Sequence, residues 1–334
     1  MAIFVGPGSA SDGGFEGRND RVGIPTATSD PGSAVLGDMY FHTVGSGTTL
    51  KIYNGSDFDA VTITQPVSAT GGTKTTSGNK TIHSFTSPGN FVVSNGGPVN
   101  YLLIAGGGGA GFDVGGAGGA GGLHYKESHP VTAQTYPVTI GGGGAPGPGQ
   151  SQRGSSGGDS SAFGITAGGG AGGGSYQAAG PGNDGRPAGG SGGGAGQNGA
   201  SGGSSPGSNS HPGGTDVESP PAGWGGSGGD SNPSPWSSAA GGGSGGDATN
   251  PPGPNQMHNA SNHTTYTISG SPVNYAGGGY GNSDGGSVYQ TGRDKDNNPI
   301  GGPSPRGFGA NATGAPNTNP YPGSPGILII SYET

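Results

Sequence analysis

Gly115-Gly116-Ala117-Gly118-Gly119-Ala120-Gly121-Gly122-Leu123 decides how this chain folds, because a side chain returns at every third position and the other two positions are bare. A period of three is neither the 3.6 of an α-helix nor the 2 of a β-strand. It is the period of the left-handed polyproline II helix, which has three residues per turn and no internal hydrogen bonds. Such a helix must bond to its neighbours or to water. With glycine on two of its three faces, helices approach closely enough for N–H···O=C bonds that a Cβ would block. Ala117, Ala120 and Leu123 are then expected to line the remaining face. Gly225 to Gly229, interrupted by Ser227, and Gly241 to Gly246, interrupted by Ser244, repeat the pattern briefly. No stretch keeps the strict triplets of collagen, so short stacked polyglycine II rods are expected rather than one long fibre.

The composition agrees with this reading. Of 334 residues, 85 are Gly and 29 are Pro, the two residues that helices tolerate least, so essentially no α-helix is expected. Hydrophobic residues make up only 27% of the chain, too few for a large layered core. The formal net charge is −8 and the charges are scattered, which disfavours nucleic acid and anionic membranes as partners. There is no Cys, hence no disulfide framework and no thiolate metal site. No signal peptide and no apolar run of membrane-spanning length is read, so assembly in a cytoplasm without membrane insertion is expected.

Outward from the glycines, the chain divides into four parts. Residues 1–20 read as an extended docking arm with Ile3, Phe4, Val5 and Phe15 as its apolar contacts. Residues 21–66 read as a small antiparallel meander, with strands Gly37–Thr43, Thr49–Tyr53 and Asp57–Ile63 and an Asn54-Gly55 turn. A unit this small buries too little surface to stand alone and requires copies of itself or a host structure. Tyr40 and Phe41, with the arm, are its candidate attachment residues. Residues 67–80 read as a linker. Residues 81–334 form the glycine-rich domain, in which Val99–Ile104 and Gly326–Tyr332 are the strongest core formers and are expected to share one sheet. Lesser strands are expected at Ile82–Phe85, Phe91–Val93, Pro137–Ile140, Ala162–Ala167 and Tyr266–Ile268. Gly96-Gly97-Pro98-Val99-Asn100-Tyr101 is echoed by Gly270-Ser271-Pro272-Val273-Asn274-Tyr275.

Chemical motifs are few. Gly106 to Gly111 satisfies G-x-G-x-x-G after an apolar strand, but no helix former follows to receive a pyrophosphate. Asp294-Lys295-Asp296 begins like a calcium loop, yet Pro299 stands where the turn glycine belongs. The pairs His124/His129 and His258/His263 are spaced by five without supporting carboxylates, so no metal is assigned. No Ser can be tied to a His and an Asp. The chain is therefore read as a non-enzyme without cofactor. Aromatic and bulky residues between the Gly runs are better candidates for recognition, since loops on a rigid scaffold carry contacts at low entropy cost. Tyr176, Trp224, Trp236, Met257, His258 and Tyr266 are the candidate receptor contacts.

Two resemblances add to this. Gly37-Asp38-Met39-Tyr40-Phe41 followed by Leu50-Lys51-Ile52-Tyr53-Asn54-Gly55-Ser56, with Phe58 after the turn, resembles a short module of bacteriophage tail-fibre and other virion proteins. Leu102 to Gly109, Val138 to Gly144, Ile165 to Gly170 and Gly326 to Tyr332 are, in order, similar to landmarks of the glycine-rich domain family found in phage tail fibres. The resemblance implies a virion tail fibre or adhesin, a homotrimer that attaches to other virion proteins through its N-terminal region and presents loops to a host-surface protein or glycan. A purely structural virion decoration or spacer protein is the alternative reading. An ice-binding bundle is disfavoured by the irregular triplets.

Overall fold

A computed structural model describes residues 26–44, 47–61, 65–149, 152–175, 190–196, 225–231, 238–248, 263–281, 306–312 and 320–334. The described residues are strands and irregular segments without α-helix, in two units, Met1–Gln65 and Pro66–Thr334. Mainly β and irregular architecture is as the Gly and Pro content requires.

The first unit is one four-stranded sheet. It consists of β1 (Thr26–Ala27), β2 (Met39–Val44), β3 (Gly47–Tyr53) and β4 (Phe58–Ala60), adjacent in chain order, with β1 parallel to β2 and the rest antiparallel. The Asn54 side chain closes the turn between β3 and β4 by accepting from the Ser56 and Asp57 amides, while Gly55 takes a φ of 100°. Tyr40 and Phe58 are its buried aromatic pair, edge to face at 5.0 Å.

The second unit begins earlier than the sequence suggests. Residues 67–80 are not a linker: they contain β5 (Ser68–Thr70) and β6 (Thr73–Ser77), both paired into sheets. Every side chain of β6 is exposed, so its Thr- and Lys-rich sequence carries no apolar alternation, and its strand identity comes from the neighbour it bonds. There follow β7 (Lys80–Phe85), β8 (Gly89–Asn95), β9 (Gly97–Ile104), β10 (Leu123–Val131), β11 (Thr135–Val138), β12 (Ser160–Ala162), β13 (Ile165–Ala167), β14 (Thr264–Tyr266), β15 (Val273–Tyr275) and β16 (Ile327–Glu333). The central sheet has the order β10-β9-β16-β7-β6. The two apolar runs at opposite ends of the domain do lie side by side, with Leu102 opposite Ile329 and Tyr101 opposite Ile330.

Both faces of that sheet are covered, which is why these runs are continuously apolar. On one face Val99, Tyr101, Leu103, Leu328, Ile330 and Tyr332 pack with residues of the β11-β8-β5 sheet and the β12-β13 hairpin. On the other, Leu102, Ile104, Ile327 and Ile329 pack with Tyr266 and Tyr275 of the β14-β15 hairpin. The two sequence echoes both contain strands: β9 begins at Gly97, of positive φ, and β15 begins at Val273, three residues after the positive-φ Gly270 of the preceding turn.

From this β base the chain continues as glycine rods: R1 (105–111), R2 (115–122), R3 (141–147), R4 (152–158), R5 (168–175), R6 (190–196), R7 (225–231), R8 (238–243), R9 (276–281), R10 (306–312) and R11 (320–326). The rods keep the alignment of the strands they extend. Ile104 faces Leu123 in the β9-β10 ladder, and beyond it the amides of Ala105, Gly108 and Gly111 donate to the carbonyls of Gly122, Gly119 and Gly116. Likewise Ser160 faces Ala167 in β12-β13, and Gly157 and Gly154 then donate to Gly170 and Gly173. The bonding step lengthens from two residues to three at the point where side chains disappear. That change is the signature of polyglycine II.

Candidate functional site

The rods bond as a hexagonal array. Successive amides of R1 donate in rotation to three neighbours: Ala105, Gly108 and Gly111 to R2, Gly106 and Gly109 to R4, Gly107 and Ala110 to R11. Its carbonyls accept in the same rotation, Gly106 and Gly109 from R5, Gly107 and Ala110 from R3, and Gly108 from R10. R2 is equally enclosed, donating to R5, R8 and R10 and accepting from R1, R6 and R9. Most of these bonds are 2.8 to 3.0 Å long, within the ordinary range for N–H···O. Buried polar groups left unpaired are costly, and here the backbone of the two central rods pairs on all six sides.

This density demands glycine. A Cβ on Gly106, Gly107, Gly108 or Gly109 would lie 1.9 to 2.0 Å from a carbonyl oxygen of an adjacent rod. The alanines sit on the third face as the triplets predict: Ala117 and Ala120 are both fully buried, and both donate to R8, at Ala239 and Gly242. Leu123 departs from the rod and opens β10, where it joins the apolar core. At the edge of the array the same period is visible as exposure. In R3, Gly141, Gly144 and Gly147 are buried while Gly142, Gly143 and Ala145 face solvent.

Bond direction shows which way each rod runs. R1 leaves β9, turns at Phe112, Asp113 and Val114, and R2 returns to β10. R7 is parallel to R6 and R8 antiparallel to it, so the described residues on either side of 232–237 lie at the ends of rods far from the sheet. R10 and R11 are antiparallel, which places the residues flanking 313–319 at that same far end. The bundle is thus a β base carrying a brush of rods: the 112–114 turn and the described residues flanking 232–237 and 313–319 lie at the ends away from the base, whereas R6, R7 and R10 begin at the base end.

The candidate residues distribute unevenly. Tyr176, Trp224, Trp236, Met257 and His258 lie outside the described residues, as do Ile3, Phe4, Val5 and Phe15 of the arm. Tyr266 is the correction among the receptor candidates. It is 4% exposed in β14, with its ring 4.6 Å from that of Tyr125, and burial pushes its phenol well above the usual tyrosine range. A ring held in the core offers no face to a receptor. Tyr40 is also buried. Its hydroxyl donates to Asp30, which takes a second bond from Lys51 Nζ at 2.6 Å. The Lys51 and Tyr40 hydrogen bonds hold the Asp30 carboxyl below its ordinary range. Phe41 points to the opposite face of the sheet, half-buried, with Leu50 across from it.

One aromatic cluster was not anticipated. Phe163, with a φ of 54° beside Gly164 at 78°, forms the two-residue turn of the β12-β13 hairpin. Its ring lies 5.1 to 6.2 Å from those of Phe91, Tyr101, His129 and Tyr136, and with Tyr136, Pro137 and Ile165 it borders an open groove. Phe-Gly lacks the Asn or Asp usual in such turns, so no local signal marks it. Among the described residues no three His, Asp or Glu side chains converge as a metal site, and no helix is long and apolar enough to cross a membrane.

The second unit is a polyglycine II bundle seated on a two-faced β base. Residues 85–333 match the glycine-rich domain family, and the chain belongs to it. No curated protein matches the chain.

Proposed function

We propose that this protein is a bacteriophage virion component, a tail fibre or adhesin that attaches through its N-terminal region and presents connections between glycine rods to the host surface. The observation that carries the reading is the enclosure of R1 and R2 by bonded rods on every side, with the 112–114 turn and the described residues flanking 232–237 and 313–319 at the rod ends away from the β base. A stiff array suits display, because recognition loops lose less entropy on binding when their anchors are already fixed. Binding proceeds without chemistry, by many weak contacts summed over copies on one particle. The small first unit supports attachment and homotrimer formation, since a single four-stranded sheet buries too little surface to persist alone.

The test uses labelled full-length protein on host cells. Saturable binding that weakens in Trp224→Ala and Trp236→Ala variants is the expected result. Undiminished binding would clear these two residues of the role, and absence of binding to any host that the phage infects would leave the spacer reading in its place.

A further inference from the structure

His83 is the one imidazole enclosed between the two facing sheets among the described residues, with none of its surface exposed. Its Nδ1 lies 2.7 Å from the carbonyl oxygen of Gly71, and its Nε2 lies 3.0 Å from the Tyr332 hydroxyl. A carbonyl only accepts, so Nδ1 carries the hydrogen; Nε2 of the neutral ring is then the acceptor, and Tyr332 donates to it. The Tyr332 oxygen is also bonded by the backbone of Ala69. The result is a one-way relay from Ala69 through Tyr332 and His83 to Gly71, complete only while the imidazole is neutral.

The surroundings leave no place for a second proton. The Tyr332 ring stacks on the imidazole at 5.6 Å and the Phe91 ring of β8 meets it edge-on at 5.3 Å. In the β6-β7 ladder the residue opposite His83 is Lys74, a cation that opposes a further positive charge. β5 contributes no titratable side chain. Lys80 and Glu333, paired across β7 and β16, are exposed three residues from His83 in the ladder. A proton on Nε2 would make the Tyr332 oxygen the acceptor, take from its O–H the imidazole acceptor it now uses, and place a second positive charge near Lys74 in the apolar layer.

We propose that His83 is a pH-sensitive latch which holds residues 66–72, the strap that opens the second unit, against the central sheet and releases it on acidification. Ala69 and Gly71, the two ends of the relay, both belong to that strap, and the strap directly follows the boundary after Gln65. Freed, its seven residues extend to at most about 24 Å. The strap is also held by the β5-β8 ladder, by the buried Val67 and Ala69 side chains, and by bonds from Asn95 Nδ2 to the Pro66 carbonyl and from Ser94 Oγ to the Ser68 carbonyl, none of which depends on protonation.

Hydrogen exchange of the full chain between pH 8 and pH 4.5, corrected for intrinsic rates, tests this. Below pH ~6.5 the opening constant of residues 66–72 should rise up to tenfold per pH unit, while 105–122 stays protected. In His83→Gln, whose amide donates to Gly71 and accepts from Tyr332 without charging, the rise should vanish. The ring-carbon resonances of His83 in the unsubstituted protein should titrate together with the opening, a readout that survives if the variant fails to fold. Strap protection that persists until the whole domain unfolds overturns the latch, as does the same pH dependence in a folded His83→Gln protein.

Discussion

The Gly108 amide donates to the Gly119 carbonyl at 2.8 Å, in the alignment already set by Ile104 opposite Leu123 four residues away. The β base therefore sets the register of rods that carry no side chains to choose one. A one-residue slip is barred where strands bury both faces, and the glycines inherit that constraint.

Glycines in the rods should divide sharply by position rather than by exposure. A Cβ at Gly108 would sit 1.9 Å from the Ala171 oxygen, whereas one at Gly142 meets nothing within 4 Å. Gly108→Ala should cost about 3 kcal/mol or more, and Gly142→Ala should change stability by less than about 0.5 kcal/mol or raise it slightly through the unfolded state. Chemical denaturation of both variants reads the difference. Gly143, exposed yet 1.8 Å from the Gly323 oxygen at its virtual Cβ, should behave like Gly108.

Tyr266 should prove a stability residue. Removing its ring from the core beside Tyr125 in Tyr266→Ala is expected to cost about 3–5 kcal/mol. Host-cell binding measured below the lowered melting temperature should be unchanged.

Acid should weaken the second unit. Burial holds the His124 and His263 imidazoles, like that of His83, below the ordinary histidine range. The unfolded chain then binds more protons than the folded one as pH falls through ~6.5, so stability is flat above that value and declines below it, levelling off once pH passes the folded-state values. His124 also keeps Nε2 without a partner in the core. His124→Asn should flatten part of the slope in denaturation midpoints recorded from pH 8 to 5.

In the first unit, burial leads and the Asp30 hydrogen bond follows in raising the Tyr40 phenol. Asp30→Ala should lower the Tyr40 ionisation midpoint without returning it to the value of a free tyrosine. Ultraviolet titration of tyrosinate in the full chain, compared with a Tyr40→Phe control, separates this hydroxyl from the others.

Much of this was legible in local pattern. The triplet spacing at Ala117 and Ala120, the apolar runs in β9 and β16, and the hairpin of the first unit are all periodicities of neighbouring residues, and each matches the structure. β5 and β6 were not legible, because a polar edge strand and a linker share a composition and only the pairing partner tells them apart. Tyr266 was legible as a strand residue, expected in Tyr266–Ile268 and found at the end of β14; that its ring turns inward was not legible, because only the packing of the β14-β15 hairpin with Leu102 and Ile329 fixes the buried face.

The amino-acid order by itself determined that the chain would make rods and strands, since the presence or absence of a Cβ acts within a few residues. Which rod bonds to which was decided only in three dimensions. Glycine has no side chain with which to recognise a partner, so R1 finds R2 and R11 because β9 is already paired with β10 and β16, and R4 because Ala162 of β12 packs into the same core as β9.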